Sequence, residues 1–520
     1  MADAVVIGAG HNGLAAAAAL AAKGWSVEVF EQADMPGGAV KTREATLPGF
    51  RHDMGAMNLS LFAGSAFAGE HGPALAKHGM AFAPASDCFA TAFPDGRWLG
   101  VSTDLNITTA RIAGHSRRDA ETWRRLVAEF AEDAPHIFAV LGGQMRIPAL
   151  MKTAYGVARK RGVNHVRSLA RLMLQSPRDF LDETFESPRV KAMCAAWGMH
   201  LDFPPDQSGG AVFPYLEAMA NQSFGMVIGQ GGADTIIRAM VGMIEEAGGK
   251  VTCNAPVSEI LTAGGRANGV WLADGRRVKA EKAVIATVAP SGLARLLPRG
   301  SGNARFDEGL ARYRHAPGTM MLHLAMDGLP DWAAGAELKR FAYVHLAPSL
   351  RQMATTYAEV QDGLLPREPV IVVGQPTAVD PSRAPAGKHV LWVQVRMVPG
   401  TIRGDAAGKI DARDWASVKD AYAERVLDIM EGYAPGLRAQ ILGKHIQSPE
   451  DLEADNPNLV GGDQICGSHH PAQNFLFRPV PGFSDGSTPV KRLWLAGAAT
   501  WPGAGTGAGS GTLLAKRLGR

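Results

Sequence analysis

At 520 residues the chain is too long for one hydrophobic core, and two or three domains are expected. A 46% hydrophobic and 20% charged content suits a globular protein, a net charge of +3 gives no reason to expect nucleic acid, and no apolar run of roughly 18 residues marks a membrane span. The four cysteines, Cys88, Cys194, Cys253 and Cys466, lie far apart without a C-x-x-C, which argues against a redox disulfide or a structural metal site and for free thiols in a reducing, cytoplasmic setting.

The chain opens on a short apolar strand, Val5-Val6-Ile7, that runs into Gly8-Ala9-Gly10-His11-Asn12-Gly13. An Ala-rich helical stretch follows, then a second strand at residues 26–30 and Glu31. This is a complete βαβ unit for a dinucleotide. Gly8 allows the sharp turn, Gly10 lets a pyrophosphate approach the backbone, and Gly13 lets helix and strand pack closely. The helix start offers free N–H groups and a positive dipole end. Glu31 stands where a carboxylate accepts from ribose hydroxyls and repels a 2′-phosphate, which disfavours NADP. A secretory signal is excluded, because the stretch lacks a basic start and is interrupted by His11 and Asn12.

A turn-rich loop, Asp34-Met35-Pro36-Gly37-Gly38, comes next. Residues 60–225 read largely as helix, with one segment at 120–134 stopped or kinked by Pro135 and another at 150–174 broken near Gly162. Residues 141–178 carry eight basic residues and no acid: Arg146, Lys152, Arg159, Lys160, Arg161, Arg167, Arg171 and Arg178. Interleaved apolar residues make this a basic amphipathic pair, suited to an anionic membrane surface or to a cap with a solvated face. From Gly231 the pattern changes. A helix at 235–247 precedes strands at 250–253, 257–261, 269–272, 277–279 and 282–287. Strands at 320–326, 370–373 and 389–398 and a helix at 415–433 follow.

The C-terminal part repeats the opening logic. A buried strand, residues 492–497, leads through the Gly-rich run of 501–511 to a helix beginning near Gly509. Two nucleotide-type elements nearly 500 residues apart imply one extended ligand held by both, and FAD fits. The expected division is a discontinuous FAD-binding domain of residues 1–60, 231–300 and 455–520. A helical cap or substrate region spans 61–230, and a mixed α+β substrate domain spans 301–454.

At these residues the chain resembles the FAD-dependent phytoene desaturase-like superfamily, most closely the branch of pyridine nucleotide-disulfide oxidoreductase domain-containing proteins. The resemblance rests on residues 6–14, Pro36-Gly37-Gly38, Asp53-Met54-Gly55, Gly231-Gly232, residues 456–463, residues 475–479 and Trp501-Pro502-Gly503-Ala504-Gly505, and so covers essentially the whole chain. It implies an α/β fold: a Rossmann-like FAD-binding domain of the amine oxidase and phytoene desaturase type, a mixed-sheet substrate domain and a helical cap. Carried over residue by residue, Gly8, Ala9, Gly10, Asn12 and Gly13 belong at the pyrophosphate and Glu31 at the ribose. Gly37 and Gly38 belong near the ribityl chain, Val257 at adenine, and Gly497, Thr506 and Ala508 along the pyrophosphate and isoalloxazine. The disulfide in the family name has no counterpart here, since no cysteine pair exists.

The expected chemistry is hydride transfer from a C–H of a small apolar substrate, isoprenoid- or acyl-like, to flavin N5, with a quinone or O₂ as electron acceptor. His469 and His470 are the candidate orienting or proton-accepting groups, against the alternative of a solvated or capping loop. Other readings of the same scaffold are an amine or amino-acid oxidase releasing peroxide, a non-enzymatic lipid-binding member, and a redox-neutral isomerase. A peripheral membrane contact through 146–178 accompanies the lipid reading.

Overall fold

The computed structural model describes residues 2–411 and 413–519. Its architecture is α/β, built on two large sheets joined by a helical cap. The first sheet has a parallel core in the order Lys250–Thr252, Val27–Phe30, Ala2–Ile7, Arg277–Ala286 and Leu493–Leu495. The antiparallel hairpin Val257–Ala263 and Arg266–Leu272 extends it at the Arg277 strand. Ala2–Ile7 is buried on both faces, as strands of a covered parallel sheet are, and therefore lacks polar alternation.

Helix His11–Ala21 is buried from Asn12 to Ala21. Alanines explain this: small side chains let the sheet, the helix Thr235–Glu246 and the final helix Gly509–Leu518 all approach the same short rod. The strand Leu493–Leu495 pairs in parallel with Arg277–Ala286, so both ends of the chain enter one sheet. The segments 277–279 and 282–287 are one continuous strand, Arg277–Ala286, rather than two.

The second sheet is mixed, in the order Ile441–Gln447, Gly318–Met326, His389–Val398, Val370–Gly374, Tyr343–Leu346, Asp87–Ala92 and Trp98–Ser102. Its last two strands come from the stretch read as largely helical; Asp87–Ala92 pairs onto Tyr343–Leu346, and Trp98–Ser102 onto Asp87–Ala92. Alternation along His389–Val398 turns Leu391, Val393 and Val395 toward the helix Trp415–Tyr433. Trp392, Gln394 and Arg396 take the opposite face.

The cap consists of Arg117–Leu141, Ile147–Arg161, Val163–Leu172, Pro177–Thr184, Pro188–Met199 and Val212–Phe224. Pro135 does not stop its first helix, which runs on to Leu141. Ile137 and Leu141 pack on the cap core beyond the proline, and that packing outweighs one lost backbone bond. No described helix is long and apolar enough to cross a membrane.

Candidate active site

One cavity of about 1230 Å³ runs from the opening βαβ unit to the face between cap and second sheet. Gly8, Gly10, Asn12, Gly13, Glu31, Gly38, Val257, Gly497 and Thr506 line one part of it. Gly8 has φ +94°, and a Cβ there would stand 2.6 Å from Thr287 Oγ1, so turn and close approach both require glycine. Above Gly10 the space is open: a Cβ would meet nothing within 4 Å. That gap, facing the cavity, is room for a phosphate.

Two helix starts converge here. The His11–Ala21 helix begins with no side-chain cap and no acid in its first turn, and so does Gly509–Leu518. Natural caps would consume the free N–H groups, and acids would repel an anion. Leaving both ends bare suits a ligand with a pyrophosphate and a second electron-rich group. The two starts are also wired together. Ser510 Oγ bonds Asn12 Oδ1 at 2.8 Å and accepts from Gly497 N–H at 2.8 Å, while His11 Nε2 lies 3.1 Å from Gly505 O.

Glu31 is fixed by backbone donors. Its Oε2 accepts from Ala9 N–H at 2.7 Å and its Oε1 from Ala33 N–H at 3.0 Å. The residues present therefore fit a dinucleotide whose ribose meets a held carboxylate. Three further expected contact residues do not line the cavity and have structural bonds of their own. Ala9 is fully buried, with its N–H committed to Glu31. Gly37 bonds Ala9 O through its N–H at 2.9 Å and so sets Gly38 beside Gly10. Ala508, buried and left-handed at φ +54°, is the N-cap of the final helix.

The histidine pair separates. His469 lines the cavity, but its Nε2 accepts from Ala504 N–H at 3.1 Å. Burial, with the Arg478 charge nearby, pushes its pKa well below the usual imidazole range. Its Nε2 lone pair is engaged by the Gly-rich run, so the ring braces that loop. His470 turns away: Nε2 lies 2.7 Å from Asp202 O, and the residue is absent from the cavity wall.

The other part of the cavity belongs to cap and second sheet. Phe138, Leu141, Leu201, Phe213, Leu216 and Phe224 make it apolar. At its sheet side Tyr343 stacks on Trp392 with centroids 5.6 Å apart, and Trp197 stands 6.3 Å from Tyr343. Glu217 and Arg396 also line this part of the cavity, together with His200. Burial raises the Glu217 carboxyl to about 7 and lowers the Arg396 guanidinium to about 10. Motif reasoning missed both, because neither sits in a motif. The signal for Arg396 was a charge inside an otherwise buried strand, alternating with Trp392 and Gln394 on one face.

Asp53-Met54-Gly55 and Gly231-Gly232 meet behind the cavity. Arg383, fully buried, bonds Asp53 Oδ2 at 2.8 Å, Asp380 Oδ2 at 3.1 Å and Gly229 O at 2.7 Å. Asp380 Oδ2 accepts in turn from Gly231 N–H at 2.6 Å.

Comparison with known proteins agrees with this geometry. The chain is 28% identical over 540 residues to pyridine nucleotide-disulfide oxidoreductase domain-containing protein 2 of Rattus norvegicus, covering 97% of this chain and 90% of that protein. It is 27% identical over 541 residues to the neurosporene-forming phytoene desaturase of Rhodobacter capsulatus, covering 100% and 94%. An oxidoreductase structure from Methanosarcina mazei shares the fold, with a TM-score of 0.62 at 19% identity and 99% coverage of both chains. The model of the family described as flavin containing amine oxidoreductase matches residues 13–508. A site built for a flavin nucleotide, carried on that fold across nearly the whole chain, makes this protein a flavin-dependent oxidoreductase belonging to the flavin-containing amine oxidoreductase family.

Proposed function

We propose that the protein binds FAD and oxidises a C–H bond of a largely apolar substrate, as a desaturase or dehydrogenase. The observation that carries this reading is the single cavity that joins the nucleotide elements to an aromatic and aliphatic chamber. The open space over Gly10 and the bare start of the His11–Ala21 helix would receive the pyrophosphate. Glu31 would hold the adenosine ribose, and Val257 would border adenine. Gly497, Thr506 and the start of the final helix would hold the ring system.

When bound, the flavin supplies a hydride acceptor at N5. The chain's own contribution is position and dryness. The helix start at Gly509 offers positive potential to a ring that gains negative charge. Phe138, Phe224 and Trp501 line the chamber with apolar surface, and Tyr343, Trp392 and Trp197 hold a substrate flat. A quinone or O₂ would then take the electrons.

A peripheral membrane contact through 146–178 gains support from exposed Ile147, Met151, Tyr155 and Leu174, 61–71% accessible. Charge supports it less. Arg146, Arg161, Arg171 and Arg178 pair with Asp485, Glu132, Glu183 and Asp206.

The test is purification of the full chain, measurement of bound flavin by absorbance, and anaerobic bleaching by isoprenoid and acyl substrates. Protein without flavin that takes up no added FAD would sink the proposal. Glu217 favours a second reading, an amine oxidase, since a carboxylate in an aromatic chamber suits an ammonium group. Peroxide release with amines, and none with isoprenoids or acyl chains, would select it.

A further inference from the structure

The strand His389–Val398 carries Trp392, Gln394 and Arg396 on one face, and all three line the cavity. Arg396 is 5% exposed. Its Nε and Nη2 donate to Met199 O at 3.4 and 3.2 Å, Nη2 also to His200 O, and Nη1 to Thr319 Oγ1 at 3.3 Å. All of these partners are neutral. No carboxylate among the described residues forms an ion pair with it.

The two acids whose charge it feels are Asp463 and Asp202. Both are committed elsewhere. Asp463 accepts from the N–H groups of Ala316, Ile465 and Gly467, and Asp202 from Tyr357 and Ser468 hydroxyls. A buried cation held only by neutral hydrogen-bond partners, with its nearest acids committed elsewhere, is costly.

The same cavity wall carries unsatisfied donors. Trp197 Nε1 and Trp392 Nε1 are buried without a partner, and both residues are 4% exposed. Gln464 Nε2 is buried without one as well, while Gln464 Oε1 bonds the Gln394 amide. Indole N–H groups can only donate. Spare donors on the cavity wall that also carries a cation with no salt-bridge partner call for an acceptor of negative charge.

We infer that Arg396, with the indole N–H groups of Trp392 and Trp197, forms an anion subsite that anchors the carboxylate of an otherwise apolar substrate. This rests on the cavity being the substrate chamber. The charge count selects a monoanion. One guanidinium, already facing the carbonyl end of the helix Pro188–Met199, does not neutralise a diphosphate, and Glu217, which lines the same cavity, would repel the second charge. The competing role for Arg396 is simply to tie down that helix end, which would give no preference among ligands.

Calorimetry on the full-length protein separates the two, with decanoate, decanol, decylamine and 2-aminodecanoate as probes. Wild type is expected to bind decanoate roughly tenfold or more tighter than decanol, the usual scale of a charge-assisted pair. Arg396→Met should erase that difference while keeping decanol binding, and Arg396→Lys should restore part of it. Tighter binding of 2-aminodecanoate than decanoate would place the carboxylate on an amino acid, and weaker binding would place it on a simple acid. Equal affinity of wild type for decanoate and decanol, or a preference that survives in Arg396→Met, overturns the inference. If Arg396→Met does not fold, the wild-type comparison and Trp392→Phe, which should weaken decanoate alone, decide it. Flavin content is scored separately. Protein that discriminates decanoate yet carries no flavin would refute the proposed oxidation and leave the anchor standing.

Discussion

Gly511 stands against Asn12 so closely that a Cβ on the glycine would lie 1.9 Å from the asparagine carbonyl oxygen. The final helix thus packs backbone to backbone on the opening one, and Ser510 bonds the Asn12 side chain beside the contact. Backbone on both sides leaves nothing flexible to yield. Gly511→Ala is expected to destabilise the fold by about 1–3 kcal/mol and to lower the flavin retained on purification. Urea unfolding and the flavin-to-protein absorbance ratio check both effects. Gly156→Ala, where a Cβ meets nothing within 4 Å, should be neutral or stabilise its helix by up to about 1 kcal/mol.

His469 holds a loop, and its removal should show in retention of the cofactor. A Cβ on Gly503 would sit 2.5 Å from His469 Nε2, so the imidazole lies directly on the Gly-rich run. His469→Ala is expected to release flavin and reduce stability. The holoenzyme that survives should keep the same pH–rate profile between roughly pH 5 and 8, the range in which an accessible imidazole titrates. Full flavin content with one ionisation lost from the profile would restore His469 as a proton acceptor.

The Arg383 network is the clearest stability lever. Removing a buried partner leaves uncompensated charge, so Arg383→Met is expected to cost about 3–5 kcal/mol in chemical unfolding. The loss should exceed that of Arg438→Met, because Arg438 pairs with the exposed acids Glu424 and Asp428 at the surface.

Glu217 makes stability depend on pH. The folded chain keeps this proton up to about pH 7, whereas an ordinary glutamate releases it near 4.5. The folded state therefore binds more protons between those values, and stability present at low pH is lost as the pH rises through the window. Glu217→Gln carries no such loss. The variant should match wild type near pH 4.5 and exceed it by up to about 3 kcal/mol above pH 7, in urea titrations at several pH values.

The nucleotide half of the site was legible because its physics is local. Gly8, Gly10, Gly13 and Glu31 owe their positions to one turn, one helix start and one strand end. The bare helix start at Gly509 was readable for the same reason. The chamber was not legible. Trp197 and Glu217 lie on two consecutive cap helices and Arg396 on a strand much later in the chain, and only tertiary packing brings all three to one cavity. His469 and His470 show the converse: adjacency in sequence suggested a shared role, yet left-handed Cys466, at φ +52°, and the bends after it send the two rings to different partners. Pro135 does not stop its helix, because packing further along overrides the local penalty.

The parallel pairing of Arg277–Ala286 with Leu493–Leu495 has a consequence for biosynthesis. At about 5–20 residues per second, a ribosome delivers the closing strand and helix roughly half a minute or more after the Gly8 turn has emerged. Until then the alanine-rich surface meant for the last helix is uncovered in the nascent polypeptide. Cofactor loading is therefore a late, largely post-translational event, and folding helpers that shield that surface should raise the yield of holoprotein more than added flavin does.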